Sequence, residues 1–120
     1  MSTIGEFIGH MFCAQDVAKS QHWLSGNEGQ HLALEMFYTQ ATPIVDRLAE
    51  TWRGKGKGPF AVVRVENCLM TDIVIIPYFT DLANRCEAFK ASLATDTTLS
   101  AILDDLLELI YITIDRLGRV

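Results

Sequence analysis

The stretch "GKGKGPFAVVRVENCL", residues 54 to 69, constrains this chain more than any other. Its glycines, its proline and its β-branched patch carry no helical period. It reads as an extended connection with at most a little strand or 3₁₀ character. Helical patterning lies on both sides of it. A first amphipathic segment runs from about Ser2 to Leu24, with Ile4, Ile8, Met11, Ala14, Ala18 and His22 near one stripe. "SGNEG" ends it. A second runs from about Asn27, a good N-cap, to Arg53, and Gly54 stops it. A third covers about Thr71 to Ala94, with Phe79, Leu82, Cys86, Phe89 and Leu93 on one face. Pro77 near its start either begins the helix or kinks it. The fourth opens at "TDTT", where Thr97 or Thr98 is expected to cap. It carries Leu99, Leu103, Leu106, Ile110, Ile114 and Leu117 before Gly118.

The connection lengths then restrict the topology. Segments one and two are joined by a few residues, as are three and four, so each pair is expected to form an antiparallel hairpin. The central connection of roughly 16 residues reaches roughly 50 Å when extended. A 25-residue helix is only about 38 Å long, so the connection can cross the whole bundle. Two hairpins with one long crossover between helices two and three is the ferritin-like arrangement. The expectation is a single all-α, four-helix domain over residues 1–120.

Composition narrows the function classes. The chain is 49% apolar and 21% charged with a net charge of −5, which suits a globular domain and not nucleic-acid binding by charge alone. The basic run "RGKGKG" from Arg53 to Gly58 is expected to be a solvated loop. No secretory leader is expected from "MSTIGEFIGHMF", and "IVIIP" is too short to span a bilayer. The three cysteines, Cys13, Cys68 and Cys86, fit no zinc spacing. They are expected to be reduced apolar fillers in a cytoplasmic protein.

The polar chemistry concentrates on the second helix. His31 and Glu35 are four apart, as are Asp46 and Glu50, and all four fall on one side. Taken singly, each is best read as part of a solvated face. His31 and Asp46, about 15 residues apart, are separated by roughly 22 Å of helix, so the pairs cannot share a site in one chain. The pattern has a midpoint between Gln40 and Ala41, however. An antiparallel copy packed about that point sets His31 and Glu35 against Glu50 and Asp46 of the partner, making two equivalent sites. Ala41 is expected near the axis, allowing close approach. His22 closes the first helix, and a tight turn would bring it beside His31. Imidazole and carboxylate together suit iron or manganese better than copper(I), and lack the thiolates of structural zinc.

"QHWLSGNEGQHLALEMFYTQATPIVDRLAE" resembles the hallmark segment of the Dps family, the miniferritins. His22, Trp23, Gly26, His31, Glu35, Asp46 and Glu50 match that family's pattern, and "DTTLSAILDDLLELI" is similar to its entry into the last helix. The resemblance implies a ferroxidase centre between two-fold related subunits. Iron(II) would be oxidised, usually with hydrogen peroxide, and stored as ferric mineral in a hollow dodecamer. It places the iron-ligand and catalytic roles on His22, His31 and Glu35 of one subunit and Asp46 and Glu50 of the other. Iron would be mononuclear or dinuclear, with manganese or zinc as substitutes, and Trp23 would pack beside the site.

Other classes fare less well. A di-iron site inside one bundle needs Glu-x-x-His on two helices, and "EGQH" occurs once. His10 is expected to make a surface contact with Glu6. Phe7, Phe12, Phe37, Phe79 and Phe89 are expected in the core. No phosphate loop or nucleophile elbow occurs. No Lys or Arg precedes Lys19 and only two arginines sit in "DRLGRV", so DNA binding is expected to be weak, and no membrane partner is expected. Pro43 should kink the second helix near Thr39. That feature favours the competing class, a non-enzymatic helical assembly or virion-associated protein that keeps the scaffold without turnover.

Overall fold

The computed structural model describes residues 2–93 and 95–119. It is all-helical among these residues: α1 (Ile4–Leu24), α2 (Glu28–Gly54), α3 (Ile75–Ser92) and α4 (Thr97–Leu117). The bundle measures 45 × 26 × 22 Å. Among the described residues, no helix is long and apolar enough to cross a membrane.

The helix ends follow local chemistry. Thr3 opens α1 with a capping box, its side chain accepting from the Glu6 N–H while Glu6 reaches back to the Thr3 N–H. Glu6 is therefore occupied at the helix start rather than paired with His10. Asn27 caps α2 by accepting from the Gln30 N–H at 3.0 Å. Pro43 sits inside α2, which remains one continuous helix through it. In α3, Pro77 falls in the first turn, where its missing N–H costs nothing. The expected helix at Thr71 to Val74 is absent for that reason, and the expected end at Ala94 lies outside the described residues. Asp96, not Thr97 or Thr98, caps α4, accepting from the Leu99 N–H at 3.0 Å.

Packing runs α1 on α2, α2 on α4, α4 on α3, and α3 more lightly on α1. Gln15 meets Thr42 across α1 and α2, Arg47 meets Asp105 across α2 and α4, and Cys86 meets Leu103 across α3 and α4. The stripes expected on α1, α3 and α4 are buried, with Leu93 and Ile114 half-buried at the margin. Phe7 stacks on Phe89 with centroids 4.6 Å apart, and Phe37 meets Phe79 edge-on at 4.8 Å. Such pairs add about 0.5–1.5 kcal/mol each beyond area burial. Phe12 departs from expectation: it is about half exposed on the outer side of α1.

Residues 55 to 74 form the connection, and they run alongside α1. The Val63 N–H donates to the Gly5 carbonyl at 3.0 Å. Further on, the Met70 carbonyl accepts from Ser20 and Gln21. The approach is close enough that a Cβ on Gly9 would lie 1.8 Å from the Val63 oxygen, and one on Gly5 2.1 Å from the Ala61 oxygen. Only glycine admits the passing backbone there. Between these contacts, Cys13 and Cys68 form a disulfide. The expectation of three reduced cysteines is corrected: only Cys86 is free, and it is buried. With Cys13 and Cys68 joined, the thiols no longer speak for a reducing compartment.

Candidate metal centre

The α1–α2 hairpin places two imidazoles face to face. His22, in the last turn of α1, is buried, and His31, one turn into α2, is half-buried. Their rings stack with centroids 3.6 Å apart at 28°. Each ring is held by the other's backbone: His22 Nδ1 lies 3.0 Å from the His31 carbonyl, and His31 Nδ1 lies 3.0 Å from the His22 carbonyl. A carbonyl oxygen can only accept, so each Nδ1 carries the proton and donates it. In the neutral imidazole each Nε2 then has its lone pair free for a metal. Backbone anchoring of one ring nitrogen while the other stays free is the usual outer-shell arrangement of a metal-binding histidine.

Glu35, one helical turn beyond His31, completes a local trio. One ligand atom from each of His22, His31 and Glu35 lies within 4.8 Å of the others, and Glu35 is exposed, so the trio opens to solvent. Tyr38 supports it from behind, edge-on to the His22 ring at 5.4 Å, with Lys19 Nζ over the Tyr38 ring at 5.6 Å. Sequence reasoning missed Tyr38; its position one turn after Glu35 was a local signal for it.

The other predicted residues lie elsewhere. Asp46 and Glu50 are exposed further along α2 and are not part of the trio within one chain. They share the outward side of α2 with Glu35, and among the described residues none of the three is in a salt bridge. Trp23 is 72% exposed in the single chain, at the turn after His22. One expectation is corrected. Ala41 is fully buried in the core, so the residues on the outward side at the midpoint of α2 are Thr39, Gln40, Thr42 and Pro43.

His10 proves to be a cavity residue. It lines a cleft of about 260 Å³ with Cys13, Cys68, Tyr78, Asp81 and Arg85. Burial and the neighbouring Arg85 hold it below its ordinary value, with Glu6 pulling the other way. No family model, curated protein or solved structure matches this chain.

Proposed function

We propose that this chain is a miniferritin-like protein that oxidises iron(II), with hydrogen peroxide as oxidant, and sequesters the ferric product. The observation that carries the proposal is the His22–His31–Glu35 trio: two imidazoles with Nδ1 anchored on backbone carbonyls and Nε2 free, beside an exposed carboxylate. Neutral nitrogen and anionic oxygen donors match iron(II) and favour the ferric product as charge builds. The helical contacts support a ferritin-like connectivity, with two antiparallel hairpins and residues 55 to 74 crossing between them. The exposure of Asp46 and Glu50 supports a site completed by a second copy, packed antiparallel along α2 about the Gln40–Ala41 midpoint. In that dimer Thr39, Thr42 and Pro43 form the close contact, and the buried Ala41 plays no part. A closed dodecamer and a cytoplasmic setting belong to the same proposal.

In this mechanism the protein binds and orients. The mutual carbonyl bonds of His22 and His31 hold both lone pairs in place before iron arrives, so little reorganisation is needed on binding. Glu35, with Asp46 and Glu50 of the partner, offsets the charge of iron(II) and stabilises iron(III). Two iron(II) ions give up one electron each to one peroxide, which with two protons leaves as two waters.

The test is complementation. Iron(II) and peroxide are added anaerobically and ferric absorbance is followed. His31→Ala and Asp46→Ala should each be inactive alone. Mixed and re-annealed, they should regain about a quarter of wild-type activity, because half of a random dimer population then carries one intact site of two. Wild type no faster than the His31→Ala, Asp46→Ala double variant removes the enzyme and leaves the non-enzymatic scaffold.

A further inference from the structure

We propose that Cys13–Cys68 is a site of thiol–disulfide exchange for an external dithiol, and that its opening releases the crossover from α1. The two cysteines differ in burial. Cys13 is buried on α1 and Cys68 is half-buried on the crossover. Clefts flank the bridge on both sides. One is the 260 Å³ cleft holding His10, Tyr78 and Arg85. The other, of about 790 Å³, is lined by Phe12, Asp16, Arg64, Asn67 and Met70 along with the two cysteines. A small dithiol can therefore reach the bridge without any helix opening.

The surroundings also set the direction of exchange. A thiolate of the reagent attacks Sγ of Cys68, the more exposed of the two residues. The S–S bond breaks and its electron pair stays on Sγ of Cys13. The Tyr78 hydroxyl lies 3.6 Å from that sulfur and donates to it. Burial pushes Tyr78 up to about 12, with Asp16 adding to the rise and Arg85 opposing it, so it remains a proton-bearing donor. Arg85 lines the same cleft and makes no salt bridge among the described residues. The Asp81 carboxylate there works against a thiolate, which leaves the Tyr78 donor as the decisive contact. A better-stabilised leaving thiolate departs faster. The second thiol of the reagent then displaces Cys68 from the mixed disulfide. The reagent ends as a disulfide and the protein as two thiols.

At its start the segment is held by Lys55 and Lys57 on Asp96 and by Phe60 packed against the core. Further along, its non-covalent contacts with α1 are the Val63–Gly5 bond and the Met70 carbonyl contacts with Ser20 and Gln21. Val62, Val63, Leu69 and Met70 remain exposed, so apolar burial holds the part around Cys68 only weakly. Opening the bridge converts a tethered strap into a weakly docked one.

The full chain is treated with dithiothreitol without denaturant. Thiols are counted with a chromogenic disulfide reagent, and amide exchange is followed by mass spectrometry. Two thiols should appear while Cys86 stays silent, since its thiol is buried and pushed up to about 12. Exchange over residues 59 to 74 should rise while the helices stay protected. Tyr78→Phe, verified to keep helical content, should slow reduction by about tenfold. Appearance of all three thiols together, only on unfolding, overturns the proposal. So does unchanged exchange in the crossover after reduction, and a wild-type rate in Tyr78→Phe removes Tyr78 from it.

Discussion

The two connections that touch α1 solve the same problem in opposite ways. The α1–α2 turn has three residues, and its grip is local: Asn27 caps α2, and His22 and His31 exchange backbone contacts across nine positions. The 55 to 74 crossover has few such bonds. It is held by a covalent bridge between residues 55 positions apart and by two glycines that let its backbone approach. A short connection can be fixed by side chains already adjacent in sequence. A long one has far more freedom to lose and needs a constraint from a distant partner.

The largest expected effect removes that constraint. A Cys13→Ser, Cys68→Ser double variant should lose about 4 kcal/mol of stability in urea unfolding, the loop-entropy value for a closure of this length. The α1–α2 hairpin should remain formed, reported by unchanged His22 and His31 ring resonances. A loss under about 1 kcal/mol would mean that the crossover is held mainly by its non-covalent contacts, and the contrast between the two connections would fail.

A matched pair of glycine substitutions sharpens the comparison. Gly9→Ala gains helix propensity but sets its Cβ 1.8 Å from the Val63 oxygen, so the strap must move. The net cost should be about 1–3 kcal/mol by thermal unfolding. Gly26, in the hairpin turn, has no positive φ, and a Cβ added there would meet nothing within 4 Å. Gly26→Ala should stay within about 0.5 kcal/mol. Equal effects at the two positions would show that the crossover does not press on α1.

What could be read from the sequence divides along the same line. The helices, the stripe leading to His22 and the His31–Glu35 pair all rest on spacings of three or four residues, and the structure brings His22, His31 and Glu35 together. The disulfide could not be read, because it depends on the path of a crossover that no local pattern specifies. A signal was present: Gly5 and Gly9 stand four apart on α1, a spacing that marks a backbone seat. Phe12 and Ala41 were misplaced because type alone does not set orientation: the large side chain faces out and the small one faces in. The cap of α4 went to Asp96 over the adjacent threonines, since its carboxylate satisfies both the Leu99 N–H and Lys55.

That last contact gives the smallest effect, and it tests the crossover at its other end. Lys55, the first residue after α2, lies 3.2 Å from Asp96, with Lys57 at 4.0 Å. The Leu99 N–H above all holds the Asp96 carboxyl below its ordinary value of 3.8; burial, next in size, opposes it, and Lys55 and Lys57 add to the lowering. A depressed folded value means that the stabilisation is complete above 3.8 and is lost as pH falls through the lower folded value. Asp96→Asn keeps a cap acceptor for the Leu99 N–H and removes only the charge. The melting temperature of wild type should therefore exceed that of Asp96→Asn near neutrality, and the difference should close on acidification below the ordinary carboxylate range. Equal melting temperatures near neutrality would assign the contribution of Asp96 to its hydrogen bond alone. The start of the crossover would then be as loosely held as its middle, leaving the disulfide as its one strong attachment.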